Sequence, residues 1–133
     1  MSHELKGISI LISPGELLDK LSILAIKSER IQDHLKSINI KHEYESLNAI
    51  VLRDVPQSPK LDILYKDLKS INEKLWDIED DIRDCERHQD FSDTFIQLAR
   101  SVYITNDQRA SIKKDINTYL GSQLVEEKSY HAY

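Results

Sequence analysis

The longest regular repeat of apolar residues lies in the middle of the chain. Its members follow one another at steps of 3, 4, 3, 4, 3, 4 and 3, and they are Leu61, Leu64, Leu68, Ile71, Leu75, Ile78, Ile82 and Cys85. This spacing keeps one side of a helix facing a single partner, as in a coiled coil. About 26 residues give a rod of about 40 Å. Only another long helix can cover it, either the first helix of this chain or the same helix in a second subunit.

A second apolar stripe predicts a long first helix. We expect Met1–Ile12 to be extended, with one short strand through Ile8, Ile10 and Ile12, which would pair with another chain or the C-terminal tail, or lie as coil. Ser13–Glu16 has the Ser, Pro and Glu of a capped helix start. The stripe that follows predicts one continuous helix, and its positions are Leu17, Leu21, Leu24, Ser28, Ile31, Leu35 and Ile38.

A shorter second helix is expected over about Glu43–Leu52. The segment Val55–Pro59 ends it, because two prolines three residues apart cannot continue a helix. Neither side of this break could bury a core alone, so it is interpreted as a turn between helices. Residues 1–133 are therefore expected to form a single helical domain.

Two further helices are expected near the C-terminus. A fourth begins after residues 90–92 and ends near Tyr103. A fifth begins at a cap supplied by Asn106 or Asp107 and ends before Gly121, a residue suited to the position just past a helix.

The predicted fold class is therefore all-α. Two long helices, the first and the third, pack antiparallel in a coiled-coil-like bundle, with a short extended segment at the N-terminus. The short second helix and the C-terminal helical pair brace them. The tail Ser122–Tyr133 has too few apolar residues for a helix of its own.

The composition agrees with this fold. The chain has 133 residues with only three glycines and three prolines, too few for the frequent turns of a sandwich or barrel. Cys85 is the only cysteine, which excludes an internal disulfide, and its place on the apolar repeat indicates core packing. No apolar stretch approaches the length that spans a bilayer. We expect a soluble, cytoplasmic protein without membrane insertion.

The net charge of −5 comes almost entirely from one stretch of the third helix and the turn after it. Eight acids stand there against Arg83 and Arg87, and they are Asp77, Glu79, Asp80, Asp81, Asp84, Glu86, Asp90 and Asp93. Carboxylates could hold Mg²⁺, but such sites need a second acidic pair, for which only Glu16 and Asp19 are convenient. A solvated helix face is the favoured interpretation. We expect no metal, no cofactor and, given the acidic charge, no nucleic-acid partner.

Basic residues concentrate in the C-terminal third instead. Arg109, Lys113 and Asn117 are spaced at four residues and share one helix face beside an apolar stripe. Such a row suits an anionic ligand with a hydrophobic body. It also suits docking against Glu79 and Glu86, which is the favoured interpretation because those acids already lie in the same chain.

The start of the first helix allows two interpretations. Its exposed N–H groups would bind an anion, with Gly15 letting the ligand approach the backbone and Lys20 one turn further on. The same residues cap a helix without any ligand, and Glu16 would repel an anion.

Three segments resemble an uncharacterised bacterial family of short helical proteins. They are ILISPGELLDKLSILAIK at residues 10–27, LWDIEDDIRDCE at 75–86, and LARSVYITNDQRASIKKDIN at 98–117 followed by GSQLVEEKSY. The resemblance runs over nearly the whole chain and implies a complete member of that family. It implies no activity or cofactor. It does indicate where a site would lie, and the polar positions of these segments are Glu16, Lys20, Arg100, Tyr103, Asn106, Arg109, Lys113 and Asn117.

Two functions remain open at this point. The leading one is a small interaction or accessory module that self-associates through its long helices or binds another protein. The alternative is a small enzyme or ligand-binding protein that recognises a phosphate- or carboxylate-bearing metabolite. In that case Arg100, Arg109 and Lys113, with Lys20 and the helix start, would hold the anion, and Glu16 or Tyr103 would move a proton.

Overall fold

The computed structural model describes residues 5–133. It contains four helices, α1 (Pro14–Arg30), α2 (His34–Asp54), α3 (Pro59–Arg87) and α4 (Asp93–Leu120), and no strand among the described residues. The all-α prediction is confirmed. Residues 5–13 and 122–133 have neither helix nor strand. The predicted extended segment therefore lies as coil where it is described, and its residues 1–4 lie outside the described part.

The first helix begins where its capping sequence predicts, but it ends earlier. Ser13 Oγ accepts a hydrogen bond from the Glu16 backbone N–H at 3.2 Å. The prediction of one helix as far as Ile38 is wrong, because Ile31 is extended and α1 stops before it. Asp33 then accepts a hydrogen bond from the Lys36 N–H and starts α2. The apolar stripe is thus shared between two helices, and α2 has 21 residues instead of about ten.

The prediction of a C-terminal helical pair is also wrong, because α4 is one continuous helix of 28 residues. Asn106 and Asp107 lie inside it and cap nothing. No proline or glycine interrupts residues 93–120, and Thr105, beside the expected break, is buried. Packing of this face therefore overrides the weak capping preference of two polar residues.

α3 packs most extensively against α4. The two helices form a hairpin through residues 88–92, and α1 packs across both of them while α2 packs mainly on α1. The apolar repeat of α3 faces inward at Leu61, Leu68, Ile78 and Cys85, which are buried. The expected core role of Cys85 is confirmed, and burial raises the pKa of its thiol. The main core cluster is Leu17, Leu18, Leu21, Val51, Val55, Leu61, Leu68 and Ile116.

Candidate functional site

The contact between α1 and α4 is centred on a buried ion pair. Arg109 donates from Nε to Asp19 Oδ1 at 2.9 Å and from Nη2 to Asp19 Oδ2. The Asp19 carboxylate is fully buried, and Asn72 on α3 donates to it and to Ser22 Oγ, each at 2.8 Å. The hydrogen bond to Asp19 raises the pKa of Arg109. Three groups thus fix α1 on the α3–α4 hairpin: a carboxylate on α1, a guanidinium on α4 and an amide on α3.

One turn further along α4, Lys113 makes a second link. Its ammonium lies 2.6 Å from Glu16 Oε2 on α1 and 3.0 Å from Glu126 Oε2 in the tail. Burial lowers the pKa of Lys113, but its hydrogen bonds to Glu16 and Glu126 outweigh burial and raise it overall. The hydrogen bond from Lys113 lowers the pKa of Glu126. Lys113 is therefore held between two carboxylates.

Gly15 allows the two helices to meet at their ends. Its N–H donates to Asn117 Oδ1 at 2.7 Å. A Cβ at this position would lie 2.6 Å from the backbone carbonyl oxygen of Lys113 and 2.8 Å from Asn117 Oδ1, which is closer than side chains pack. The close approach expected for a ligand at Gly15 is thus made by α4 of the same chain, which satisfies one free N–H of the helix start.

The basic row does dock within the chain, but the predicted partners are wrong. Glu79 bonds to Arg83 on its own helix, and Glu86 makes no ion pair with any residue the structure describes. The partners are Glu16 and Asp19. The sequence carried a signal for this, since acids three residues apart on α1 can meet bases four residues apart on an antiparallel helix. Asp19 was missed because it had been considered only as a metal ligand.

The remaining predicted site residues do not join this contact. Lys20 is half-exposed and lies 3.8 Å from Glu16. Arg100 is exposed and bonds to Gln97 on its own helix. Tyr103 and Asn106 lie nearer the N-terminus of α4, where they line the groove between α4 and the tail. Of the eight predicted positions, four take part in direct contacts between α1 and α4, and they are Glu16, Arg109, Lys113 and Asn117.

The tail, residues 122–133, folds back along α4. Gly121 ends the helix in the left-handed conformation at φ +68°, and the Ser122 N–H then bonds to the Asn117 carbonyl. At the far end, Tyr133 donates to Asp107 Oδ2 at 2.6 Å, and its ring lies 5.1 Å from that of Tyr103. The hydrogen bond to Asp107 raises the pKa of Tyr133.

Two grooves of about 660 and 910 Å³ lie between this tail and α4. They share Asp107 and Lys128 and are therefore adjacent, and we call the two together the tail cleft. One end contains Lys113, Lys114 and hydroxyl groups, and the other contains tyrosines. The lining therefore combines cationic and aromatic groups on one helix face.

A third groove, of about 780 Å³, lies at the N-terminal side of α1. Ile8–Ile12 borders it, together with Leu17, Leu47 on α2 and Leu120 at the end of α4. Ile8, Ile10 and Leu11 are 80%, 72% and 89% exposed. No backbone group of residues 5–12 bonds to another described residue. This segment thus presents both apolar side chains and free backbone groups.

The acidic stretch of α3 is solvent-exposed and partly paired with arginines. Arg30 bonds to Asp77, and Arg83 and Arg87 bond to acids on their own helix. Within residues 5–133, no group of three or more His, Cys, Asp or Glu side chains is arranged to hold a metal ion. In the same range, no helix is long and apolar enough to cross a membrane.

Comparison with known proteins identifies a family and no activity. Residues 8–133 match the protein family described as a family of unknown function, DUF6165. Neither the curated proteins nor the solved structures give a significant match. Since the match spans nearly the whole sequence, this chain belongs to the DUF6165 family of unknown function.

Proposed function

We propose that this protein is an interaction module that pairs with a second copy of itself through the N-terminal segment, residues 7–12, and the adjoining groove. The observation that carries the proposal is the exposure of Ile8, Ile10 and Leu11 beside that apolar groove. Its mechanism is surface complementarity. We also propose, as expected from the sequence, that the protein is bacterial and cytoplasmic.

A symmetric pairing suits this segment because residues 7–12 carry no charge. In a twofold contact the same patch faces itself, so a charged patch would repel its copy. The free N–H and C=O groups of two extended segments can form an antiparallel ladder, which neither segment can form alone. The distal end of the α3–α4 hairpin is less suitable for self-pairing, since it carries the eight acids from Asp77 to Asp93.

A symmetric pair would bring together six apolar side chains, Ile8, Ile10 and Leu11 from each copy. Burying each Ile or Leu side chain contributes about 1.5–3 kcal/mol, so this contact favours association.

The contact differs from the one expected from the sequence. A dimer through the long helices required an open apolar face on α3, and α4 covers that face within the chain. The ligand-binding alternative, in the form first considered, is less well supported. It needs Arg109 and Lys113 to bind one anion together, and Arg109 is held by the fully buried carboxylate of Asp19.

Sedimentation analysis of Ile10→Asp tests the proposal. We expect wild type to dimerise at micromolar concentration and Ile10→Asp to sediment as a monomer of 15.5 kDa. Because Ile10 is mostly exposed, this variant should unfold at the temperature of dilute, dissociated wild type. Leu35→Asp is the matched control. Leu35 is 73% exposed but lies at the other end of α2, away from the groove, so this variant should remain dimeric.

Two results would contradict this function. Wild type that stays monomeric throughout the micromolar range would exclude a second copy as the partner and leave another protein as the occupant. Equal loss of dimer in Leu35→Asp and Ile10→Asp would place the contact elsewhere on the molecule.

A further inference from the structure

The tail cleft contains a carboxylate in the position where an anionic ligand would lie. Glu126 approaches Lys113 from the solvent side, at 3.0 Å, while Glu16 approaches the same ammonium from α1. Lys113 is only 10% exposed, and the tail contributes to its burial. Glu16 belongs to the helix contact, whereas Glu126 belongs to a segment without regular structure.

The tail is held on α4 by few contacts. They are the bond of the Ser122 N–H to the Asn117 carbonyl, the ion pair of Glu126, the Tyr133–Asp107 hydrogen bond, and the packing of Tyr133 on Tyr103. Val125, Tyr130 and Tyr133 are exposed. A segment with so few buried groups opens more readily than the helices, and the tail can therefore leave the cleft without unfolding the bundle.

The two ends of the cleft fit the two halves of one kind of ligand. Lys113 and Lys114 lie at one end with the hydroxyls of Ser111, Thr118 and Ser122. Tyr103 lies at the other end, ten residues away and so about 15 Å along the helix. Asn106 and Asp107 lie between them and can bond to hydroxyl groups or to the edge of a ring.

We propose that the tail cleft binds a small molecule that joins a phosphate or carboxylate group to an aromatic ring, the chemistry of a nucleotide. The anionic group takes the place of Glu126 at Lys113 and Lys114. The ring stacks on Tyr103, in the position that Tyr133 occupies in the free protein. The tail thus acts as an internal competitor that the ligand displaces. This inference uses a surface that shares only Ser122 with the N-terminal groove, and it does not depend on the proposed self-pairing.

Three probes separate the parts of this site. Titration of the full chain, followed by amide NMR shifts and calorimetry, uses ADP for the whole ligand, inorganic phosphate for the anionic end and adenosine for the ring. We expect ADP to bind more tightly than either part. Tyr103→Ala should weaken ADP and adenosine relative to phosphate, because the ring at position 103 touches only the aromatic half.

Removing the internal competitor should strengthen binding. In Glu126→Gln we expect affinity for ADP and phosphate to rise about tenfold, the factor by which an occupant present about 90% of the time reduces apparent affinity. Affinity for adenosine should rise less, because Tyr133 still packs on Tyr103 in this variant. Glu127→Gln is the matched control, since Glu127 lines the same cleft and has the same charge but makes no ion pair with any residue of the described chain. Misfolding cannot explain a gain of affinity.

Lys114→Met tests the anionic end without disturbing the fold. Lys114 is exposed and lines the cleft, whereas substitution of Lys113 would also break its bond to Glu16. We expect Lys114→Met to weaken ADP and phosphate and to melt like wild type. The proposal is overturned if neither ADP nor phosphate shifts the cleft amides in wild type or Glu126→Gln. It is also overturned if Glu127→Gln strengthens binding as much as Glu126→Gln, because the effect would then reflect net charge alone.

Discussion

Replacing Arg109 by Met should destabilise the protein as severely as truncating a core side chain. The substitution keeps much of the apolar stem but removes both hydrogen bonds to the Asp19 carboxylate. Asp19 would remain fully buried, with the Asn72 amide as its remaining side-chain partner. Breaking a fully buried ion pair costs about 3–5 kcal/mol because one charge is left without a partner.

The expected loss is somewhat smaller here because Arg109 is about one quarter exposed and water can reach its side of the pair. We expect a loss of about 2–4 kcal/mol in the free energy of unfolding. For a chain of this length, that corresponds to a fall of about 7–14 °C in the melting temperature. Urea unfolding followed by helical circular dichroism measures the first quantity, and a thermal scan measures the second.

Lys20→Met provides the control because Lys20 is also a cation opposite an α1 carboxylate, but it is half-exposed and 3.8 Å away. Its loss should cost at most about 0.5 kcal/mol. The double variant Asp19→Leu with Arg109→Met should lose less than the sum of the two single variants, since it removes the unpaired charge. If Arg109→Met unfolds within about 1 kcal/mol of wild type, the ion pair does not fix α1, and Arg109 is free for another role.

Three further predictions concern single positions. Gly15→Ala should destabilise by about 1–3 kcal/mol because its Cβ meets the Lys113 carbonyl, although the same change in an open helix stabilises; a chemical-unfolding midpoint at or above wild type would contradict the close contact. Thr105→Val should raise the free energy of unfolding by about 1 kcal/mol, as measured by calorimetry, because the buried Thr105 hydroxyl has no hydrogen-bond partner among the described residues. A lower free energy of unfolding would show that this hydroxyl has a partner. The lowered pKa of Glu126 means that its pairing stabilises the fold above its ordinary pKa and ceases to do so as pH falls through the lower value. The stability difference between wild type and Glu126→Gln should therefore be small, because Glu126 is about half exposed, and should shrink as the pH falls below the ordinary pKa of a glutamate; a constant difference would contradict the pairing.

Local signals in the sequence were sufficient for the fold class and for several helix ends. The capping residue Ser13, followed by Pro14, starts α1 where the sequence indicates. The 3–4 repeat of α3 correctly predicts a long helix with one buried side. Helix continuity was harder to predict, since Asp33 caps a helix while Asn106 and Asp107 do not. The difference arises from tertiary packing at Thr105, which no local pattern contains.

The candidate site was predicted at the level of residues but not of partners. The spacing of Arg109, Lys113 and Asn117 correctly indicated one face of α4, because helix periodicity is a local property. Their partners on α1 depend on which helices are neighbours, and the expected first helix, eight residues too long, obscured that arrangement. The contact of Glu126 with Lys113 was beyond reach of any periodicity argument, since the tail has no regular structure.

The two ends of the bundle differ in charge, because their acidic and basic side chains are paired to different extents. Glu16 and Asp19 neutralise Lys113 and Arg109 inside the contact between α1 and α4, so this end of the bundle carries little net charge despite its ionic residues. The acids of α3 lie at the other end, where arginines match only some of them. A second copy can therefore approach the uncharged residues 7–12 without repulsion, while the acidic ends lie far from the twofold contact. In such a pair the tail cleft shares only Ser122 with the N-terminal groove, so its occupancy should not change the dimer dissociation constant. A dissociation constant that shifts when Glu126→Gln is made would indicate that the two surfaces are coupled.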